Sequence, residues 1–103
     1  DGRTVLVALG ADARPVAFIE LEAGGHIDCF YSHPDAAGSG VGRALFRHAQ
    51  SRAIEAGYPR LFAEASEAAC RFFLRKGFHV IARREFLLRG VIIHNYAMEK
   101  VLG

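Results

Sequence analysis

The chain has 103 residues, 51% of them hydrophobic and 23% charged, which is enough for one compact domain. This composition excludes a disordered segment, and no apolar run approaches the roughly 20 residues that a membrane-spanning helix needs. The formal net charge of +2 suits a small anionic ligand but is too small to indicate nucleic acid. We therefore expect neither nucleic acid nor a membrane among its partners.

The chain begins with Asp1 rather than Met, and nothing in it resembles a signal peptide. We therefore expect a fragment, a processed product or the ordered part of something longer. Cys29 and Cys70 allow at most one disulfide bond, which the sequence leaves open. The favoured prediction is a reduced, cytoplasmic protein with two buried thiols.

Three β-rich runs open the chain: Arg3 to Leu9, Pro15 to Leu21 and His26 to Ser32. Glycine-containing turns separate them, and Pro34 stops the third run because proline cannot donate a hydrogen bond to a neighbouring strand. Three consecutive strands with short turns predict an antiparallel meander.

The apolar spacing then becomes helical from Val41 onwards, and Gly57 is a natural stop for this first helix. A short strand is predicted from Arg60 to Glu64. Ser66 can cap a second helix, which Gly77 ends.

Two further strands, Phe78 to Leu87 and Val91 to Val101, complete the order βββ-α-β-α-ββ. Residues 1–103 show no repeat or linker, so we predict a single domain. The fold class is α/β (α+β), with a mixed, mostly antiparallel sheet and helices on both faces to cover the apolar positions.

Three glycines, Gly38, Gly40 and Gly42, alternate where the third strand gives way to the first helix. Glycines at a helix start let an anion approach the unpaired N–H groups, and Arg43 adds a positive charge, so the segment predicts a phosphate or pyrophosphate site. The alternative is a flexible turn with glycines for close packing. A P-loop and a dinucleotide fingerprint both fit the spacing poorly.

From Gly24 to Gly103 the chain resembles the GNAT superfamily, the acyl-CoA-dependent N-acetyltransferases. The family's pyrophosphate motif, Gln/Arg-x-x-Gly-x-Gly/Ala, aligns with Ala37-Gly38-Ser39-Gly40-Val41-Gly42. Its later motif, Ala-x-x-Phe-Tyr-x-x-x-Gly-Phe, aligns with the run from Ala69 to Phe78. The closing run from Asn95 to Lys100 is similar to the last strand of many members.

The resemblance implies that acetyl-CoA is a co-substrate, with a small-molecule or peptide amine as acceptor. It implies that a backbone N–H in the region of Phe30, Tyr31 and Ser32 polarises the thioester carbonyl, where the third strand splays from its parallel neighbour. It also implies that the CoA pyrophosphate lies on the glycine turn, on the residues Gly38, Ser39, Gly40, Val41, Gly42 and Arg43.

Three departures from the family pattern affect this interpretation. Ala37 stands where the family has Gln or Arg, and Phe73 stands where it has the usual general-acid tyrosine. A Phe73→Tyr exchange is expected to leave the fold intact because the ring volume is nearly kept. The usual N-terminal strand and two helices, which wall the acceptor pocket, are lacking, so the domain is predicted to be N-terminally truncated.

His26 is the candidate general base, because it aligns with the glutamate base of some histone-type members and its ordinary pKa suits proton transfer. Asp28 shares its strand face and would orient it or act through water. Tyr96 would replace the missing acid. The alternatives are that His26 and Asp28 are solvated strand residues and that Tyr96 is a half-buried strand tyrosine. No His, Cys or Asp cluster has metal-ligand spacing, so no metal is expected.

The leading functional prediction is an acetyl-CoA-dependent N-acetyltransferase. The alternative is a non-catalytic acyl-CoA-binding or regulatory module, which Phe73 and Ala37 favour. A third possibility is a dimer-forming half-domain, in which the exposed last strand, Val91 to Val101, pairs with a second copy as a homodimer.

Overall fold

The computed structural model describes residues 3–34 and 40–103. These contain the eight elements β1 (Thr4–Leu9), β2 (Pro15–Glu22), β3 (His26–Ser32), α1 (Val41–Glu55), β4 (Arg60–Ala65), α2 (Glu67–Arg75), β5 (His79–Leu88) and β6 (Val91–Val101). The predicted order βββ-α-β-α-ββ is confirmed. The boundaries lie close to those expected, because glycine turns and the Ser66 cap set them locally.

The six strands form one sheet in the order β1-β2-β3-β4-β6-β5. Only β3 and β4 run parallel, since α1 joins them by a crossover, while the other neighbours are antiparallel. The predicted mixed, mostly antiparallel sheet is therefore confirmed.

The two helices lie on the same face of the sheet, so the prediction of a helix on each face is wrong. Phe46 of α1 contacts Phe72 of α2, with ring centroids 5.8 Å apart. On one face of β6, Lys100 reaches α1 and Tyr96 reaches α2. The physical reason is that both crossovers, β3-α1-β4 and β4-α2-β5, advance in the same direction across the sheet. Right-handed crossovers in one direction place their helices on one face.

The core lies between this face and the helices. It contains Ile19, Leu61 and Met98 from the sheet, and helix α1 contributes Leu45 and Phe46. The opposite face is largely solvent-exposed: Val5, Val7, Phe18 and Tyr31 there are between 37% and 51% exposed. Among residues 3–34 and 40–103, neither helix covers this second face.

The last strand, β6, lies between β4 and β5, so the expectation that it forms an exposed sheet edge is wrong. The turn at Arg89 and Gly90 folds β5 back onto β6, and β6 takes the position beside β4. Strand β5 therefore forms one edge of the sheet, and β1 forms the other.

Cys29 and Cys70 are both free cysteines. The prediction that both are buried is wrong for Cys29, which is exposed on β3, whereas Cys70 is buried on α2. No helix in the described part of the chain is long and apolar enough to cross a membrane.

Candidate active site

Strands β3 and β4 meet only at their beginnings and then separate. His26 pairs with Phe62, whose N–H donates to the carbonyl oxygen of Gly25 at 3.0 Å, and no later pair follows in these two described strands. Strand β3 has a bulge where the two strands separate. The bulged residue is Asp28, the one residue of β3 without a partner in the β2 ladder. An extra residue bends a strand and increases its twist, so β3 turns away from β4 and opens a gap.

The bulge also sets which backbone groups of β3 face the gap. The N–H of His33 donates to the carbonyl oxygen of Val16 in β2 at 2.7 Å. Because backbone groups alternate in an antiparallel ladder, Tyr31 also directs its N–H towards β2. The N–H groups of Phe30 and Ser32 then point into the gap.

Helix α1 begins beside this gap, and its N-cap residue Gly40 has a φ of +86°, in the left-handed region that favours glycine. Within α1, which is described throughout, the first turn contains no acidic residue. The positive end of the helix is therefore not neutralised by its own side chains. The predicted site residues Gly38 and Ser39, like Ala37, lie outside the described residues.

An open cleft of about 660 Å³ lies between β3 and the two helices. Phe30 and Ser32 line it on the sheet side, and Gly40, Gly42 and Arg43 line it at the start of α1. The structure thus brings together two separate sets of predicted CoA-binding residues. The Tyr31 side chain lies elsewhere, on the opposite face, with its ring centroid 5.7 Å from that of Phe18.

The α2 side of the cleft was missed by sequence reasoning. It is lined by Ala68, Ala69 and Phe72 and by the cations Arg75 and Lys76 at the end of the helix. In the sequence these two cations are accounted for by the helix dipole alone. Their position directly before Gly77 in the second family motif is the sequence feature that could have assigned Arg75 and Lys76 to the cleft.

His26 lies on the other face of the sheet, at the point where the gap opens, and bridges two carboxylates. Its Nδ1 is 2.5 Å from Oε1 of Glu22, and its Nε2 is 2.8 Å from Oε1 of Glu64. Its ring stacks on Phe62 with centroids 4.9 Å apart. Partial burial lowers the pKa of His26, but the hydrogen bonds and charges of Glu22 and Glu64 outweigh this, so the pKa is raised.

Asp28 is not the partner of His26, because both ring nitrogens are engaged by other residues. Its carboxylate lies 3.9 Å from Arg3, which also forms ion pairs with Glu20 and Glu22. The candidate ligand atoms of Glu22, His26 and Asp28 lie within 4.8 Å of one another, a juxtaposition that sequence spacing did not reveal. Since Arg3 and His26 already pair with these carboxylates, we derive no metal chemistry from the cluster.

The imidazolium of His26 should stabilise the fold in a pH-dependent way. The pKa of His26 is higher in the folded protein than in the unfolded chain, where it is near 6.5. The stabilisation is therefore complete at pH values below the unfolded-state pKa and is lost as the pH rises through the folded-state pKa. We expect His26→Gln to lower the free energy of unfolding by about 1 kcal/mol at pH 6 and by less at pH 9. Denaturant unfolding at both pH values measures this.

The matched control is His48→Gln, because His48 is an exposed histidine on α1. It should change stability little at either pH. A loss in His26→Gln that is equal at pH 6 and pH 9 would contradict the assignment of a bridging imidazolium.

Tyr96, the candidate acid, donates its hydroxyl hydrogen to the carboxylate of Glu67, with oxygen distances of 3.1 and 3.2 Å. His94 Nε2 lies 2.9 Å from the same carboxylate. The hydrogen bonds from His94 and then Tyr96 hold the pKa of Glu67 below its usual value. The phenol is thus engaged at the start of α2 and is not among the groups that line the cleft.

Phe73, which replaces the family's usual tyrosine, is a core residue with only 3% exposure. Its ring centroid lies 4.7 Å from that of Phe78 and 6.3 Å from those of Phe30 and Phe46. The neighbouring Phe72 lines the cleft instead. Neither aromatic residue can supply a proton.

The splayed parallel pair and the glycine start of α1 define a known class of protein. Residues 1–100 match the family model of the acetyltransferase (GNAT) domain, and the chain belongs to this family. Peptidyl-lysine N-acetyltransferase YjaB of Escherichia coli K12 is 39% identical over 79 residues, which make up 77% of this chain and 52% of that protein. The chain thus spans about half the length of this curated relative.

Two solved structures show the same fold. A GCN5-related N-acetyltransferase from Rhodopseudomonas palustris superposes with a TM-score of 0.87 at 33% identity, covering 98% of this chain and 62% of that one. PaiA N-acetyltransferase from Thermoplasma acidophilum, solved with coenzyme A, has a TM-score of 0.77 at 21% identity, covering 98% of this chain and 62% of that one.

Proposed function

We propose that the chain is the catalytic part of an acetyl-CoA-dependent N-acetyltransferase. The observation that carries the proposal is the cleft in which the gap-facing N–H groups of β3 meet the first turn of α1. The curated relative is a lysine acetyltransferase, and a neighbour of the same fold was solved with coenzyme A.

The chain's own residues suit an acyl-CoA. The start of α1 offers N–H groups and Arg43 to a diphosphate, and Gly42 leaves the approach open, since a Cβ there would meet only Phe30 Cζ at 3.7 Å. Phe30 and Phe72 give the cleft an apolar wall. The N–H groups of Phe30 and Ser32 can stabilise the negative charge that develops on a thioester oxygen during attack.

The acceptor amine is proposed to approach from the opposite face, where the gap opens beside His26. Four carboxylates, those of Glu20, Glu22, Asp28 and Glu64, lie there with the cations Arg3 and His26. The excess of negative charge favours a cationic amine, either of a small molecule or of a peptide lysine. The proton released from the amine would pass through Glu64 to Nε2 of His26, which lie 2.8 Å apart.

The proposal is tested by acetyl-CoA-dependent thiol release with a panel of amines that includes a lysine peptide and a polyamine. We expect turnover that rises with pH until the raised pKa of His26 is passed, because the imidazolium must lose its proton to act as a base. His26→Gln should lower the rate by about 10²-fold and flatten this rise.

The same experiment separates the second candidate, a binding or regulatory module without turnover. Two observations favour that alternative: Phe73 is buried among aromatic rings, and Tyr96 is held by Glu67. Thermal stabilisation by acetyl-CoA without thiol release for any amine would support it. Absence of both would contradict the proposed function.

We also propose a cytoplasmic location, supported by two free thiols. A homodimer formed by strand pairing would use β5, because that strand is a sheet edge with Ile81, Leu87 and Leu88 each at least 52% exposed.

A further inference from the structure

A second, smaller cavity of about 250 Å³ adjoins the cleft and is strongly basic. It shares Arg43, Arg75 and Lys76 with the cleft and adds Arg47 from α1 and Lys100 from β6. Five cations from three elements thus surround one small space. The proposed diphosphate position at the start of α1 lies at its border.

These cations are not balanced by carboxylates. Across residues 3–34 and 40–103, none of the five forms an ion pair, and the hydrogen bond of Lys100 is to a neutral amide, Oε1 of Gln50, at 2.7 Å. Desolvation, followed by the charges of Arg43 and Arg75, lowers the pKa of Lys76. Mutual repulsion of this kind disfavours the empty arrangement, and a compact anion would relieve it.

We propose that this basic pocket binds the 3′-phosphate on the ribose of CoA, separately from the diphosphate. The inference rests on the proposed function and deepens it. A phosphomonoester carries between about one and a half and two negative charges near pH 7 and has three acceptor oxygens, which suits several Arg and Lys donors. In CoA this group belongs to the nucleotide that follows the diphosphate, and the pocket directly adjoins the diphosphate position.

The test compares CoA with dephospho-CoA, which lacks only the 3′-phosphate, by calorimetric titration at low salt. We expect the full chain to bind CoA at least about tenfold more tightly than dephospho-CoA. Arg47→Gln removes a cation that lines only the basic pocket. It should weaken CoA binding about fivefold and leave dephospho-CoA binding within about twofold.

The matched control is Arg52→Gln, which removes the same charge from an exposed position further along α1. It should change neither affinity. Equal binding of CoA and dephospho-CoA by the wild-type chain would overturn the proposal while leaving the acyl-CoA site intact. Equal losses for both ligands in Arg47→Gln would also overturn it. If neither CoA nor dephospho-CoA binds, both the phosphate-pocket proposal and the proposed function fail.

Discussion

A Gly42→Glu substitution is expected to weaken CoA binding by about 100-fold while the domain remains folded. Gly42 lies in the first turn of α1 and lines the cleft, so the new carboxylate would project towards the proposed diphosphate. Repulsion between such charges a few ångströms apart is worth several kcal/mol at an intermediate dielectric. The helix itself should gain stability, because an acidic side chain at its start and the loss of a helical glycine are both favourable. Calorimetric titration with CoA and thermal unfolding measure the two effects.

Gly42→Gln is the matched control, since it has nearly the same size as glutamate without the charge. We expect a smaller loss of affinity, and Gly42→Ala should bind almost normally because its Cβ would meet Phe30 at an ordinary contact distance of 3.7 Å. Gly40 is a poorer probe, because its φ of +86° would strain any other residue and confuse folding with binding. Unchanged CoA affinity in a folded Gly42→Glu protein would remove the helix start from the proposed site.

The second large effect is expected at Phe73, where tyrosine should destabilise the fold and leave turnover no higher. The side chain is 3% exposed and surrounded by phenyl rings, so the added hydroxyl would lose its hydrogen bonds to water. A buried hydroxyl without a partner costs about 1–3 kcal/mol. For a domain of this size, this corresponds to a melting temperature lowered by roughly 4–8 °C for each kcal/mol. The expectation from ring volume alone, that the fold stays intact, neglects this cost.

Phe72→Tyr is the natural comparison, because Phe72 is only partly buried and lines the cleft. Its hydroxyl can reach solvent, so the melting temperature should change by much less. A Phe73→Tyr protein that melts normally and releases thiol faster than wild type would instead place the new hydroxyl beside the CoA sulfur.

The sequence by itself determined the order of elements and the family. Period-two and helical spacing, the Ser66 cap and the glycine stops are local signals, and they predicted all eight elements. The alternating glycines and the run ending in Gly77 and Phe78 identified the family, since such motifs require particular residues at particular spacings.

Only the tertiary structure decided how these elements meet. Local spacing does not state the direction in which a crossover advances, so it could not place both helices on one face or β5 at the edge. The environment of His26 depends on Glu22 and Glu64, which come from different strands, and its raised pKa follows from their approach. Likewise, Arg47, Lys76 and Lys100 are distant in sequence. Their shared pocket, and with it the proposed phosphate site, exists because packing on one sheet face brings like charges together.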